Sequence, residues 1–458
     1  MNELKKIFCI FAVLALILCG CGTEQTPSDS SLPTIEAPSS EVDTPTSSNK
    51  TPTGSSSSKK PQSGNEGSSS SKKPSSSDRA SSGTSSVVDT PFNPDAGVTY
   101  YYYENLNAEQ KRLYGIINDM VYDMTSGMVA LGETSARDIS LAFNAVRTDH
   151  PEYFWMPYSY INKIEGNKFY IAVDYEGDSS SVSYLCTKQQ RNQMESALKS
   201  KVSQIKKLIK SGMTDYEAEL AIHDWICENV RYVDTGSDQM CYTAYGAIVK
   251  GQALCEGYAR AMQLLCNELS IPCTLVCGVS LERQENHMWN IIKIGGDWYQ
   301  LDVTWDDDDH NNSVNHRFFN ITDSMIANTH RADADFSTLD SSDFGGGTVP
   351  SYNFSLPKCT AKVYHYPNVA GCTLDKNSTV AKATVRDVMK RAADEKAPYC
   401  EFYLDYDVSD GVDAMALAEK YALQTCKNDV NSNSKHKITG MSVGLTGRTF
   451  MVYFTYGG

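Results

Sequence analysis

The chain has 458 residues, with 41 Lys and Arg against 56 Asp and Glu, a formal net charge of −15. That length admits about three domains at ~150 residues each, and a hydrophobic content of 41% excludes a wholly disordered chain. The acidic balance argues against a nucleic-acid binder that works through a basic surface, and the single long apolar run, at the N-terminus, excludes a multi-span membrane protein.

In chain order, the first elements are an address and a spacer. Lys5 and Lys6 precede an apolar stretch from Ile7 to Leu18, the pattern of a secretory signal. Leu18, Gly20 and Cys21 resemble a bacterial lipobox, which implies a lipoprotein signal peptide over 1–20, cleavage before Cys21 and a diacylglycerol on its sulfur. Cleavage before Cys19 is the weaker option, because it puts the bulky Leu18 next to the cut. An uncleaved membrane anchor is the other reading. Both place the bulk of the chain outside the cytoplasm; the lipobox places it on the outer face of the cytoplasmic membrane, at a bacterial cell surface. Residues 21–95 are rich in Ser, Pro, Thr and Lys, and the run from Ser55 to Pro61 recurs from Ser68 to Pro74. Such a segment buries too little surface to order itself and reads as a disordered tether, with a reach on the order of 45–50 Å for about 70 residues.

From 97 to 212 the pattern is helical with one hairpin. Leu113, Ile116, Ile117, Met120 and Val121 fall on one helical face, and 135–146 is a second helix. Segments 160–164 and 168–175 flank Glu165-Gly166-Asn167 as a hairpin, and 188–210 is a long polar helix. A tighter region spans 213–345. Thr214 and Glu217 make a capping box for a helix that buries Leu220, Ile222, Trp225 and Ile226. Residues 255–269 form the next helix, with Tyr258, Met262, Leu265, Cys266 and Leu269 as its apolar stripe. Pro272 ends it, 273–278 is a buried strand, and 287–294 and 298–304 are strands around Gly295-Gly296, a hairpin signal. The last region, 355–458, reads as a small module with strands 358–366 and 400–406, helices 385–393 and 412–425, and a terminal hairpin of 438–445 with 449–456. The fold class is α+β.

Three residues of the middle region carry chemistry. Cys255 opens its helix, where the dipole and unpaired N–H groups favour a thiolate. If Gly295 and Gly296 are the two loop residues, Ile294 opposes Asp297, and His287 and Asp302 become diagonal neighbours on one sheet face. A one-residue slip would separate them. A thiol, an imidazole that takes its proton and a carboxylate that orients the ring form a nucleophilic set that attacks a carbonyl, with the Cys255 backbone N–H as a donor to the oxyanion.

Around them, Tyr258, Trp289, Asn290 and Trp305 read as groups that pack behind the three or touch substrate. Eleven of the 14 cysteines remain beyond Cys21, an odd number that leaves at least one thiol unpaired. No metal site is assigned. No C-x-x-C pair follows Cys21, and His150, His223, His316, His330, His365 and His436 show no ligand spacing. The run Asp306–Asn312 reads as a solvated acidic turn rather than a calcium loop.

The segments around Ala244–Ala259, His287-Met288-Trp289-Asn290 and Trp298–Asp306 resemble the Cys, His and Asp motifs of the bacterial transglutaminase-like superfamily, in order and in spacing. Met288 departs from the Ala common after the histidine. The resemblance covers roughly 214–306. It implies a papain-like core in which the helix carrying the cysteine packs on an antiparallel sheet, a Cys255–His287–Asp302 triad and no cofactor. The expected function is a lipid-anchored cysteine enzyme acting on peptide or side-chain amides through a thioester, by acyl transfer or hydrolysis. Its substrates would be proteins or peptides, cell-wall or surface proteins among them; the membrane is met through Cys21, and no nucleic acid is involved. The alternative is a non-catalytic surface-binding or adhesion lipoprotein on the same scaffold.

Overall fold

The computed structural model describes residues 92–177, 180–233, 238–308, 313–332, 354–408 and 412–457. The signal-like segment, the tether up to residue 91 and Cys21 lie outside them. Among the described residues, no helix is long and apolar enough to cross a membrane.

The N-terminal part contains α1 (Ala108–Tyr122), β1 (Val129–Glu133), α2 (Ala136–Asp149), β2 (Ile161–Glu165), β3 (Lys168–Ala172) and α3 (Lys188–Ile205). Asn107 and Thr187 cap α1 and α3 with full capping boxes. β2 and β3 pair around Gly166 as the hairpin expected, and β1 adds to β3. α3 stops at Ile205, short of the expected end at 210, and a 3₁₀ turn follows. These elements share one hydrophobic core with the middle region. Leu113, Ile117, Phe143 and Val146 belong to the same buried cluster as Tyr258, Met262, Leu265 and Ile292.

The middle region contains α4 (Asp215–Asn229), α5 (Cys255–Glu268), β4 (Cys273–Ser280), β5 (Glu285–Ile294), β6 (Asp297–Leu301), α6 (Val303–Asp306) and β7 (His330–Ala332). The four strands make an antiparallel sheet in the order β6-β5-β4-β7. Ile294 opposes Asp297, so Gly295 and Gly296 are the two-residue turn and the expected register holds. The second strand is shorter than expected. β6 ends at Leu301, and Asp302 caps α6 because its carboxylate takes the Thr304 and Trp305 N–H groups instead of extending the ladder.

α5 is pinned at its first turn. Glu256 is fully buried; Arg147 of α2 donates to it at 2.5 Å and Arg260 at 2.8 Å, and Arg260 also donates to the Arg147 carbonyl at 2.8 Å. Gly257 lets this turn approach residues 241–253, since a Cβ there would lie 2.4 Å from the Cys241 carbonyl oxygen and 2.7 Å from the Ala253 Cβ.

The C-terminal module has its own core and a sheet ordered β8 (Thr373–Leu374), β9 (Tyr399–Leu404), β11 (Thr449–Tyr456), β10 (Ile438–Thr446). Its helices are α7 (Ser378–Glu395), α8 (Ala414–Lys420) and α9 (Leu423–Asn433). Two expectations fail here. The helix expected over 412–425 breaks at Ala422, whose φ is +53°. The strand expected over 358–366 is absent: the Cys359 carbonyl accepts the Asp323 N–H at 2.8 Å and its N–H donates to the Asp323 carboxylate at 3.1 Å, and Tyr366–Ala370 is helical.

Removing the anion between two buried guanidiniums leaves them facing each other. Glu256→Gln is expected to cost about 3–5 kcal/mol, read as a lower denaturant midpoint, and Gly257→Ala is expected to lower it in the same assay.

Candidate active site

Cys255 stands at the first position of α5, whose N-terminus has no side-chain cap, and is 3% exposed. The acidic neighbour Glu256 would oppose a thiolate there, but its charge is matched by Arg147 and Arg260. His287 lies on β5 opposite Gly278, and its ring makes a hydrogen bond with the Cys255 thiol. Its Nε2 donates to Asp302 Oδ2 at 2.7 Å, which leaves Nδ1 for the sulfur. The structure thus brings the three sequence-predicted residues to one place.

It adds a fourth that sequence reasoning assigned no role. His330 lies on β7 opposite Ser280, two residues along β4 from Gly278, so His330 and His287 share a sheet face. His330 Nε2 donates to Asp302 Oδ2 at 2.9 Å, and its Nδ1 meets the Thr329 hydroxyl at 2.8 Å. Asp302 is fully buried and accepts from two rings and two backbone N–H groups.

These contacts separate the two imidazoles chemically. Burial alone would lower the pKa of His287, but the Asp302 charge, its hydrogen bond and the Cys255 contact raise it to about 10. Burial likewise works to raise Asp302, yet the His287 charge and bonds from both rings hold it well below the usual carboxylate range. Burial lowers His330, and Asp302 does not offset it. His287 therefore carries the positive charge, and His330 stays a neutral donor that fixes the carboxylate.

The flanking residues are mostly architectural. The Trp289 indole donates to Gln300 at 2.7 Å and lies near-parallel to His287. Asn290, on the opposite sheet face, donates to the Ala259 carbonyl at 3.0 Å and so ties the histidine strand to the cysteine helix. The Tyr258 hydroxyl bridges the Val230 carbonyl and Asp307. Trp305 is half-buried, its ring centroid 5.6 Å from His287 and 4.5 Å from His330, and of the four it alone can wall a substrate. Asp306, expected in a solvated turn, is fully buried and accepts the Phe318 N–H; residues 309–312 of that run lie outside the described residues. Among the described residues, no cysteine is in a disulfide. The donor atoms of His287, Asp302 and His330 lie within 4.8 Å of one another, a set able to hold a metal ion, but an ion there would compete for the oxygen that orients His287.

Part of the chain is similar to known proteins. Residues 203–303 match the transglutaminase-like superfamily, and that span contains Cys255, His287 and Asp302. Kyphoscoliosis peptidase of Homo sapiens is 25% identical over 111 residues, covering 21% of this chain and 17% of that protein, and the Mus musculus protein gives the same figures. The chain thus spans about a sixth of the length of these curated relatives. A solved structure of a TGase aligns over 40% of this chain and 51% of its own, at 12% identity and a TM-score of 0.23. The chain carries a transglutaminase-like core.

Because the Asp302 charge is what raises His287, Asp302→Asn should drop the His287 pKa from about 10 to below 6.5, measured by NMR titration. A histidine raised in the folded state adds stability that is full below about 6.5 and is lost as pH rises through about 10. The wild type should lose stability across that window, and Asp302→Asn should lose less.

Proposed function

We propose that the protein is an extracytoplasmic, lipid-anchored cysteine enzyme that acts on peptide or side-chain amides through a thioester. The observation that carries this reading is one imidazole engaged by a thiol on one side and by a buried carboxylate 2.7 Å away on the other. The transglutaminase-like match over 203–303 and the name of the curated relatives, a peptidase, support it. The N-terminal lipobox pattern supports the anchor at Cys21.

The chemistry follows from the charges. In the charged pair His287 Nδ1 already holds the proton of Cys255, and the thiolate attacks the amide carbonyl. Charge gathers on the carbonyl oxygen, where the Cys255 backbone N–H at the helix N-terminus is placed to receive it. The tetrahedral species collapses as Nδ1 returns its proton to the leaving nitrogen, an amine departs, and a thioester remains. Water or a second amine then attacks the thioester while Nδ1 takes its proton, and the proton passes back to the sulfur as product leaves. Asp302 stays ionised throughout, stabilising the imidazolium without taking its proton.

The test is turnover of casein or cell-wall peptides with a fluorescent amine present. Wild type should release ammonia or new peptide ends, or incorporate the amine, and Cys255→Ala should do none of these. Equal turnover in the variant would remove Cys255 from the chemistry, and a wild type that binds these substrates without turnover would favour the adhesion reading. Asp302→Asn should lose roughly 10²–10⁴-fold in kcat. Intact mass of the purified mature chain should report a diacylglycerol on Cys21, absent in Cys21→Ser.

A further inference from the structure

A second cluster of buried histidines shares no residue with the triad. We propose that His223, Asp224 and His316 bind a divalent transition-metal ion, Zn²⁺ foremost, at the seam between the transglutaminase-like core and the C-terminal module. This goes beyond the catalytic reading and does not rest on it.

The donors converge from two parts of the chain. His223 and Asp224 are neighbours on α4, and His316 follows the short strand Ser313–Val314. Asp224 Oδ1 is 2.9 Å from His223 Nδ1 and 3.0 Å from His316 Nε2, and the three ligand atoms lie within 4.8 Å of one another. Donors of a tetrahedral ion at ~2.0–2.1 Å stand ~3.3 Å apart, so each nitrogen needs to move from Asp224 Oδ1 by only a few tenths of an ångström. Two imidazoles and one carboxylate suit zinc better than calcium or magnesium, which take oxygen ligands.

The far side of each ring is built as metal-bound histidines are. His316 Nδ1 faces Glu401 of β9, and the same carboxylate accepts the His316 N–H at 3.2 Å. His223 Nε2 faces Asp306 Oδ2 at 3.4 Å. A ligating histidine commonly gives its other N–H to a carboxylate, which fixes its tautomer. Asp306 Oδ2 is fully buried and does not meet hydrogen-bond geometry with His223, whose Nε2 also lies 3.9 Å from the Cys227 Sγ. A His223 that binds metal through Nδ1 must carry its proton on Nε2, where Asp306 Oδ2 and the Cys227 sulfur are the acceptors at hand.

Charge favours an ion too. Asp224, Asp306 and Glu401 surround the two rings, so a divalent ion held by neutral imidazoles would keep these carboxylates facing positive charge. The site opens to a cavity of about 980 Å³, lined by Asp224, His316, Glu228, Tyr399 and Glu401, and the Asp224 side chain is 37% exposed. An ion therefore has a way in, and a fourth ligand has room. With the ion bound, α4, the His316 segment and β9 are held together. Asp306, behind His223, ends the helix that Asp302 begins, so the same ion braces α6.

The test uses the full-length chain carrying Cys255→Ala, stripped with a chelator and reloaded. About one Zn²⁺ per chain should survive dialysis and raise Tm. Co²⁺ in its place should give visible d–d bands without sulfur-to-metal charge transfer. Asp224→Asn, which keeps its shape and stands partly in solvent, and His316→Gln should each weaken Zn²⁺ at least ~100-fold, and Glu401→Gln by ~10–100-fold; His330→Gln should retain it. A parent chain that keeps no Zn²⁺, or Asp224→Asn and His316→Gln chains that keep as much as the parent, overturns the proposal. Loss in His330→Gln with retention in Asp224→Asn puts the ion at the triad and overturns it equally.

Discussion

The geometry of the candidate site depends on one buried carboxylate. Asp302 has no water to solvate it, so it is tolerable only because four N–H donors converge on it. That requirement works in both directions. The donors stabilise the anion, and the anion fixes the donors, holding His287 in one orientation and the start of α6 in one conformation. Two imidazoles share an oxygen without repelling each other because only one is charged. His330 hydrogen-bonds to Thr329 on its far side and is pushed toward neutrality by burial, which leaves the positive charge on the ring that meets the thiol.

The sulfur is brought to that ring by a second buried ion cluster. Arg147 reaches from α2 to Glu256, and Arg260 closes the group one turn further along α5. Such a cluster is weak evidence for net stability, since desolvation offsets much of its Coulomb energy. Its contribution is position: it ties the first turn of the cysteine helix to the N-terminal elements. Asn290 does the same from the other side, joining β5 to α5 across the sheet. The N-terminal region is therefore part of the site's scaffold, as its shared hydrophobic core with α5 and β5 also indicates.

The C-terminal module meets the core through polar groups as well as rings. Glu401 of β9 holds His316, whose ring stacks on Tyr366 with centroids 3.8 Å apart. Polar seams of this kind are less forgiving than apolar ones, because each buried charge needs its partner in place. The seam also explains why Asp306 is buried: it belongs to the join between α6 and the His223 ring, and so cannot act as a solvated turn.

Much of the triad was legible from residues near one another in sequence. The Gly295-Gly296 turn set the register from Ile294 and Asp297 to Asn290 and Leu301, because strand periodicity of two propagates from a turn without tertiary information, and Asp302 follows directly where that ladder ends. The capping box at Thr214 and the apolar stripe of α5 are likewise local signals. What the sequence could not display was every pairing that depends on a non-local approach. His330 follows Asp302 by 28 residues and joins the site only because β7 pairs with β4. Arg147 and Glu256 are 109 residues apart, and His316 and Glu401 are 85 apart. The strand expected over 358–366 failed for the same reason, since its backbone groups found Asp323 instead of a strand edge. Local composition decides which segments are helix, strand or turn and where a nucleophile can sit. Which buried charges face each other is decided by chain packing, because a charge is buried only where the whole fold supplies its partner.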